Sequence, residues 1–299
     1  MSQPPRLAYM AWIVVCLVWG TTYLAIRVAL ETMPPLLMAG FRWVVAGSLI
    51  LAAVAVAGVR IPPPRQWPAL AALGVLLMGL GNGCVAWAEQ TIPSGLTAVL
   101  VASIPFWMVG VERLMALSSS TTSTPDAERV SPRRLAGLIV GFLGIVLLVW
   151  PELRLGAGRS FLLGVVATQV ACLGWAIGSS YSRRRHADEN VLAASALQML
   201  FGGVALLAAG VVAGEWPKVA FNARTTSALI YLTAAGSIAG YSAYAYALKY
   251  LPVATVSLYA YVNPVIAVLL GTLILGEPLS SRLAVAGVVV MTGMVLVRE

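Results

Sequence analysis

The sequence predicts an all-α membrane protein of ten transmembrane helices, built as two inverted five-helix repeats. Three observations predict it. First, of 299 residues, 60% are hydrophobic and only 10% are charged. An ordinary soluble protein carries about 25% charged residues, so lipid must be part of this chain's solvent. Second, apolar stretches of about 20 residues, enough to cross the hydrocarbon core, recur along the chain between short breaks rich in Pro, Gly or charge. Third, the chain echoes itself. Cys16-Leu17-Val18-Trp19 returns 156 positions later as Cys172-Leu173-Gly174-Trp175, and at that offset Gly47 meets Gly203, Arg27 meets Arg183 and Arg42 meets Gln198. Pro93 and Pro105 return as Pro252 and Pro264 with the same spacing of 12. Duplicated apolar units are a common build for a secondary transporter.

The first half places spans near 7–30, 34–58, 67–90, 94–115 and 132–150; the second places them near 160–182, 190–213, 224–248, 253–276 and 281–298. The first run follows Arg6 but lacks a small-residue cleavage site, and its pattern recurs at Trp175, so it reads as a retained span rather than a signal peptide. The halves divide at Pro151-Glu152-Leu153-Arg154, which gives repeats over 1–152 and 160–299. Because five is odd, the second copy enters from the opposite side, and the repeats are inverted. With the N-terminus inside, 12 basic residues face the cytoplasm against 7 elsewhere, so both termini are cytoplasmic. The net charge of +8 then reports topology and not a nucleic-acid partner. Residues 116–131, polar and without apolar periodicity, read as a flexible cytoplasmic loop.

The chemistry inventory narrows the function. Lys218 and Lys249 are the only lysines and neither follows a glycine, so a phosphate-binding loop is absent. The one histidine, His186, lies in a basic loop, and Asp126 and Asp188 both fall in loops. Hydrolase triads and intramembrane aspartate dyads are therefore excluded. Cys16, Cys84 and Cys172 sit in apolar runs and read as free thiols. No metal site and no cofactor is expected. Glycine pairs four apart, such as Gly174/Gly178 and Gly236/Gly240, favour close helix packing.

Arg42 is the foremost site candidate. It stands eight residues into the second span, ~12 Å deep at 1.5 Å per residue, and the half-thickness of the core is ~15 Å. Such a residue costs roughly 2.5–3.5 kcal/mol to insert and should face a partner or a wet cavity, where it suits a carboxylate. Glu89, near the outer end of the third span, is a candidate gate partner for Arg42 or a proton-coupling group. Trp19, Tyr23 and Arg27 share one face of the first helix, with Asn82 and Glu89 on a face of the third. Tyr241 and Tyr244 share a face of the eighth, and Tyr259 and Asn263 of the ninth. Seven of the ten tyrosines fall between Tyr231 and Tyr261, a cluster that suits an amphipathic solute. Pro105 and Pro264 each remove a backbone donor inside a span, which shapes the helix and frees the carbonyls of Val101 and Ala260.

Trp19-Gly20-Thr21-Thr22-Tyr23, Pro34-Pro35 and Phe41-Arg42 resemble the first-repeat signature of the EamA-type branch of the drug/metabolite transporter superfamily. Gly81-Asn82-Gly83, Ala88-Glu89-Gln90, Ile92-Pro93-Ser94-Gly95, the run Tyr259-Ala260-Tyr261-Val262-Asn263-Pro264-Val265 and Gly276-Glu277 resemble its YedA-like members, across almost the whole chain. The resemblance implies ten helices, inverted repeats and a central cavity reached by alternating access, in a family whose members mostly export amino acids and other small metabolites. One departure is plain. The Gly-Glu turn that commonly ends the fourth helix is replaced here by Leu117-Ser118-Ser119, so a gating role for that glutamate does not carry over to the first half.

Residues and resemblance together lead to one expectation. The chain is a multi-pass protein of the cytoplasmic membrane, not an enzyme, that exports small organic solutes. Arg42 holds an anionic group, with Gln198 answering it across the pseudo-axis, and Trp19, Tyr23, Asn82, Tyr241, Tyr244, Tyr259 and Asn263 line the pocket. Glu89, Arg27, Pro105 and Pro264 serve gating or coupling, with protons as the candidate coupling ion. The rivals are a non-transporting receptor or assembly partner, which needs no through-cavity, and a membrane enzyme acting on a lipid or metabolite, which needs titratable groups clustered at one depth.

Overall fold

The computed structural model describes residues 5–118, 132–154, 158–185 and 190–297. His186 and most of the predicted polar loop (119–131) lie outside the described residues; 116–118 belong to the end of a helix. Helical segments occupy the predicted spans: α1 (Arg6–Ala29), α2 (Pro35–Val56), α3 (67–88), α4 (Ser94–Val101 and Ile104–Ser118), α5 (Pro132–Arg154), α6 (Arg159–Arg185), α7 (Val191–Val212), α8 (223–250), α9 (Val253–Val256 and Tyr259–Leu275) and α10 (Ser281–Val297). Among the described residues there is no strand. Among the described residues, six helices are long and apolar enough to cross a membrane: α1, α2, α4, α6, α7 and the stretch Pro64–Ala88 that contains α3. The chain is an all-helical membrane protein.

Local chemistry sets the helix ends. Pro34 is extended and Pro35 opens α2, where its missing N–H is no loss. Asn190 caps α7 by accepting from the amides of Leu192 and Ala193, both at 3.1 Å. Asn222 and Thr225 form a capping box on α8. Gly58 and Gly214, themselves 156 apart, follow the last turns of α2 and α7 with φ of +66° and +69°, a conformation that a Cβ would strain.

Two features break helical regularity in matched places. Val75–Gly83 within α3 and Leu232–Tyr241 within α8 are π-helical. α4 breaks at Ala102 and Ser103, and α9 at Ser257 and Leu258. Pro105 does not kink a continuous helix; it is the second residue of a new segment after the break. Pro264 does lie inside its helix, in Tyr259–Leu275.

The packing follows a pattern. α2 lies against α7, α5 against α10 and α4 against α9. α1 packs on α8 and α9, as α6 packs on α3 and α4. α3 meets α7, as α8 meets α2. Exchanging the two halves maps every one of these pairings onto another of the same set.

The predicted glycine pairs receive side chains of neighbouring helices. Gly174 and Gly178 of α6 receive Leu80 and Leu77 of α3, and Gly236 and Gly240 of α8 receive Thr22 and Trp19 of α1. At one end of the bundle the two halves are tied together. The Ala220 amide donates to the Thr32 carbonyl at 3.1 Å, Thr32 Oγ1 reaches Ala220 O at 2.9 Å and Thr225 Oγ1 at 2.8 Å, and Arg224 pairs with Glu31 at 3.1 Å. Glu215, in the turn after α7, accepts from Leu37 N at 2.9 Å. Burial holds its carboxyl above the usual carboxylate range, against the pull of the α2 amides.

The Gly276-Glu277 turn has a clear structural part. Glu277 accepts from Ser94 N (2.9 Å), Ser94 Oγ (2.8 Å) and Gly95 N (3.1 Å), so one carboxylate satisfies the orphan donors that open α4. Glu277→Ala is expected to cost about 1–3 kcal/mol, because buried amides are left without acceptors. Thermal unfolding in detergent reads this directly, and an unchanged midpoint would remove the cap from the account.

Candidate functional site

A cavity of about 70 Å³, measured as the space open to the centre of a water molecule, lies where α1, α2, α3, α4, α6 and α9 converge. A water needs about 10–15 Å³ on this measure, so the space suits a few waters or the head of a small solute. Six of the predicted residues line it: Trp19, Tyr23, Arg42, Asn82, Tyr259 and Asn263.

Arg42 is the charged group on this wall. It is only 4% exposed, its Nη2 donates to Asn82 Oδ1 at 2.6 Å, and its guanidinium stands 4.6 Å from the Trp43 ring centroid. Its Nε is buried without a partner, as is Trp43 Nε1 beside it. Both donors lie within the wall, with almost no accessible surface of their own. An unmet buried donor costs about 1–3 kcal/mol, which an anionic solute can recover where a small shift of the guanidinium brings it to the cavity.

The aromatic wall is assembled across the two halves. Trp19 and Trp175, the repeat-matched pair, meet edge to face at 5.3 Å, and Trp19 meets Tyr259 at 5.1 Å in the same manner. Trp19 Nε1 is spent on the carbonyl of Gly236, in the π segment of α8, at 3.1 Å. Oriented by its partners, the Asn263 amide donates to Cys16 O at 2.9 Å and Tyr259 O at 3.1 Å, which ties α9 to α1.

Three predicted residues stand behind the wall. Gln198 Oε1 accepts from Tyr241 OH at 2.5 Å. Tyr241 in turn packs edge-on against Trp43 at 5.7 Å. Tyr244 accepts from Trp175 Nε1 at 3.1 Å and bonds Ser179 Oγ at 2.6 Å, so it fixes the ring that does face the cavity. The pair Gln198–Tyr241 stands in the second half where Arg42–Asn82 stands in the first.

The rim residues also separate by role. Arg27 Nη1 donates to the carbonyl of Glu89, at the C-terminal end of α3, and Arg183, its repeat match, donates to Leu248 O and Leu251 O at the end of α8. Each arginine satisfies orphan helix carbonyls. Glu89 itself is fully buried, and neither carboxylate oxygen has a hydrogen-bond partner. Arg42 does not bond it in this structure; Glu277, Arg27 and Arg42 act on it electrostatically, the first against its charge and the other two for it. The carbonyl of Val101, predicted to be freed by Pro105, lies 3.9 Å from Cys172 Sγ. The three cysteines are free.

The cavity also holds residues that the sequence reading passed over: Thr22, Trp43, Val101, Ile104, Cys172 and Trp175 among them. The internal echo already singled out Trp175 and Cys172, and that signal could have placed them here.

Comparison with known proteins agrees with this architecture. The model of the EamA-like transporter family matches residues 6–125 and 162–298. The inner membrane transporter YedA of Escherichia coli (strain K12) is 37% identical over 283 residues, covering 94% of this chain and 87% of YedA. The transporter YoaV of Bacillus subtilis (strain 168) is 22% identical over 280 residues, 93% of this chain and 92% of YoaV. A solved crystal structure superposes with a TM-score of 0.70 at 21% identity, over 97% of this chain and 96% of the other, and shares the fold. Whole-length similarity to transporters makes the chain a transporter rather than an enzyme. With both halves matched by one family model, the chain belongs to the EamA-like transporter family.

Proposed function

We propose that the chain is a secondary transporter of the cytoplasmic membrane that exports small organic solutes, amino acids or related metabolites, by alternating access. In this reading ten helices span the bilayer as two inverted repeats, 1–152 and 160–299, with both termini in the cytoplasm. The pairings that interchange when the halves are exchanged support the repeat, as do the matched π segments and the matched arginines at the ends of α3 and α8. Two such bodies can rock about a central site.

One observation carries the reading: a buried arginine with an unanswered Nε on the wall of a cavity that both halves build. Arg42 would hold the solute's anionic group, and the Trp19, Tyr259 and Trp175 rings would hold its body. The experiment is counterflow in proteoliposomes with a panel of labelled amino acids and metabolites. Accumulation of at least one solute above protein-free vesicles is expected, and a panel that moves no solute would sink the transport reading.

Protons are the proposed coupling ion, because Glu89 offers a buried carboxylate without hydrogen bonds, set between the opposing fields of Glu277 and of Arg27 and Arg42. Glu89→Gln is expected to abolish the effect of an imposed pH gradient while counterflow without a gradient persists. If the gradient acts on the variant as on the wild type, Glu89 is not the carrier.

A further inference from the structure

A second recess lies outside the central cavity. It is a groove of about 430 Å³ between α4, α5 and α6. Phe106 and Trp107 of α4 with Ile139 and Phe142 of α5 make its apolar walls, and Ile139 and Phe142 are 53% and 65% exposed on the apolar face of the bundle. Its floor is polar. Gln169 Oε1 accepts both from Ser103 Oγ at 3.1 Å and from Trp107 Nε1 at 3.0 Å. The Gln169 amide nitrogen is thereby left buried with no acceptor. Apolar walls over a polar floor complement an amphiphile with a polar head.

The floor is also the back of the central cavity. Ser103 borders the groove, Cys172 borders the cavity, and their Oγ and Sγ atoms are 3.6 Å apart. Val101 and Ile104 face the cavity, while Ser103 and Phe106 face the groove. One layer of side chains therefore separates the two spaces. That layer is made of small groups, and it falls where α4 is broken at Ala102 and Ser103. At the break the ladder of α4 is irregular, with Ser103 N donating to Leu100 O at 3.1 Å, so the two segments of α4 can shift against α6 by moving few groups.

We propose that the seam between α4 and α6 is a lateral portal, through which an amphipathic organic anion already dissolved in the bilayer passes between the groove and the Arg42 site. This rests on the transport reading and specifies its substrate class. The apolar body lies along Phe106 and Phe142, the head is passed from Gln169 across Ser103 and Cys172, and Arg42 receives the charge.

The test uses two sulfonates, which stay ionised and so do not leak as neutral acids: benzenesulfonate, which stays in water, and 4-butylbenzenesulfonate, which partitions into lipid. Ser103→Leu fills the seam. Ile139→Trp fills the groove from an exposed position, where folding is not at stake. In proteoliposome counterflow each variant is expected to move the butyl compound about tenfold more slowly than the wild type, with benzenesulfonate changed by less than about twofold. Equal effects on both compounds, or none on either, overturn the portal. A wild type that moves benzenesulfonate alone also overturns it and leaves the transport reading standing, whereas a wild type that moves no solute of any kind sinks both.

Discussion

Arg42→Ala is expected to slow counterflow of every accepted anionic solute by about 30-fold or more, because truncating one partner of a buried charge-assisted contact costs about 2–5 kcal/mol. The argument starts from what Arg42 lacks. Its Nη2 is engaged by Asn82 and its face by the Trp43 ring, but its Nε has no partner. The first two contacts hold the guanidinium on the cavity wall, where the anionic group of a ligand can meet it. Removing the side chain should therefore cost transport far more than fold. Loss of the Trp43 ring contact, about 0.5–2 kcal/mol, and of the Asn82 bond is offset by removing a buried charge with an unmet donor, so the melting temperature should fall by only a few degrees. Arg42→Lys keeps a charge but cannot reproduce the planar fork, and is expected to fall between the two. A variant that melts near the wild-type temperature and transports at the wild-type rate would show that Arg42 is a structural arginine and that the solute sits elsewhere.

The helices were legible in the sequence because lipid dictates their length and composition, and the predicted spans agree with the helical segments to within a few residues. Much of the site was legible too. Trp19, Tyr23, Arg42 and Asn82 reached the cavity wall because polar and aromatic groups on one face of an apolar helix have few other places to go.

Spacing did not reveal which way a shared face points. Tyr241 and Tyr244 do share a face of α8, with ring centroids 6.0 Å apart, at the end of the π-helical stretch 232–241. Both rings turn behind Trp43 and Trp175 instead of into the cavity. No residue pattern in that stretch announces a π segment. The break in α4 was hidden for a related reason. Pro105 marks the start of the new segment, while the break itself falls at Ala102 and Ser103, which are unremarkable residues for an apolar helix. Arg27 and Arg183 were recognised as a pair, yet their shared partners are main-chain carbonyls, which leave no trace in sequence.

Gly74→Val is expected to prevent stable assembly, and Gly74→Ala to lower the melting temperature by roughly 5–10 °C, on the basis that overpacking costs about 1–3 kcal/mol and more where nothing can move. At the crossing of α3 with α7, Gly74 and Gly202 face each other directly. A Cβ on Gly74 would stand 2.3 Å from the carbonyl oxygen of Gln198 and 2.8 Å from the amide nitrogen of Gly202, and one on Gly202 would stand 2.4 Å from the carbonyl oxygen of Gly74. These neighbours are backbone, so no rotamer change relieves the clash; the two helices must separate. Separation would also disturb the site. Gln198 sits on α7 at this contact, and its bond to Tyr241 supports the ring that packs on Trp43 beside Arg42. The Ala variant should therefore lose transport beyond what its folded fraction explains. Gly79 in the same helix makes a fitting control, since a Cβ there meets nothing closer than its own Val75 at 3.7 Å. Gly79→Ala is expected to melt at or slightly above the wild-type temperature, because alanine favours a helix interior over glycine. Equal melting of the two alanine variants would mean that the α3–α7 crossing is looser than this geometry requires.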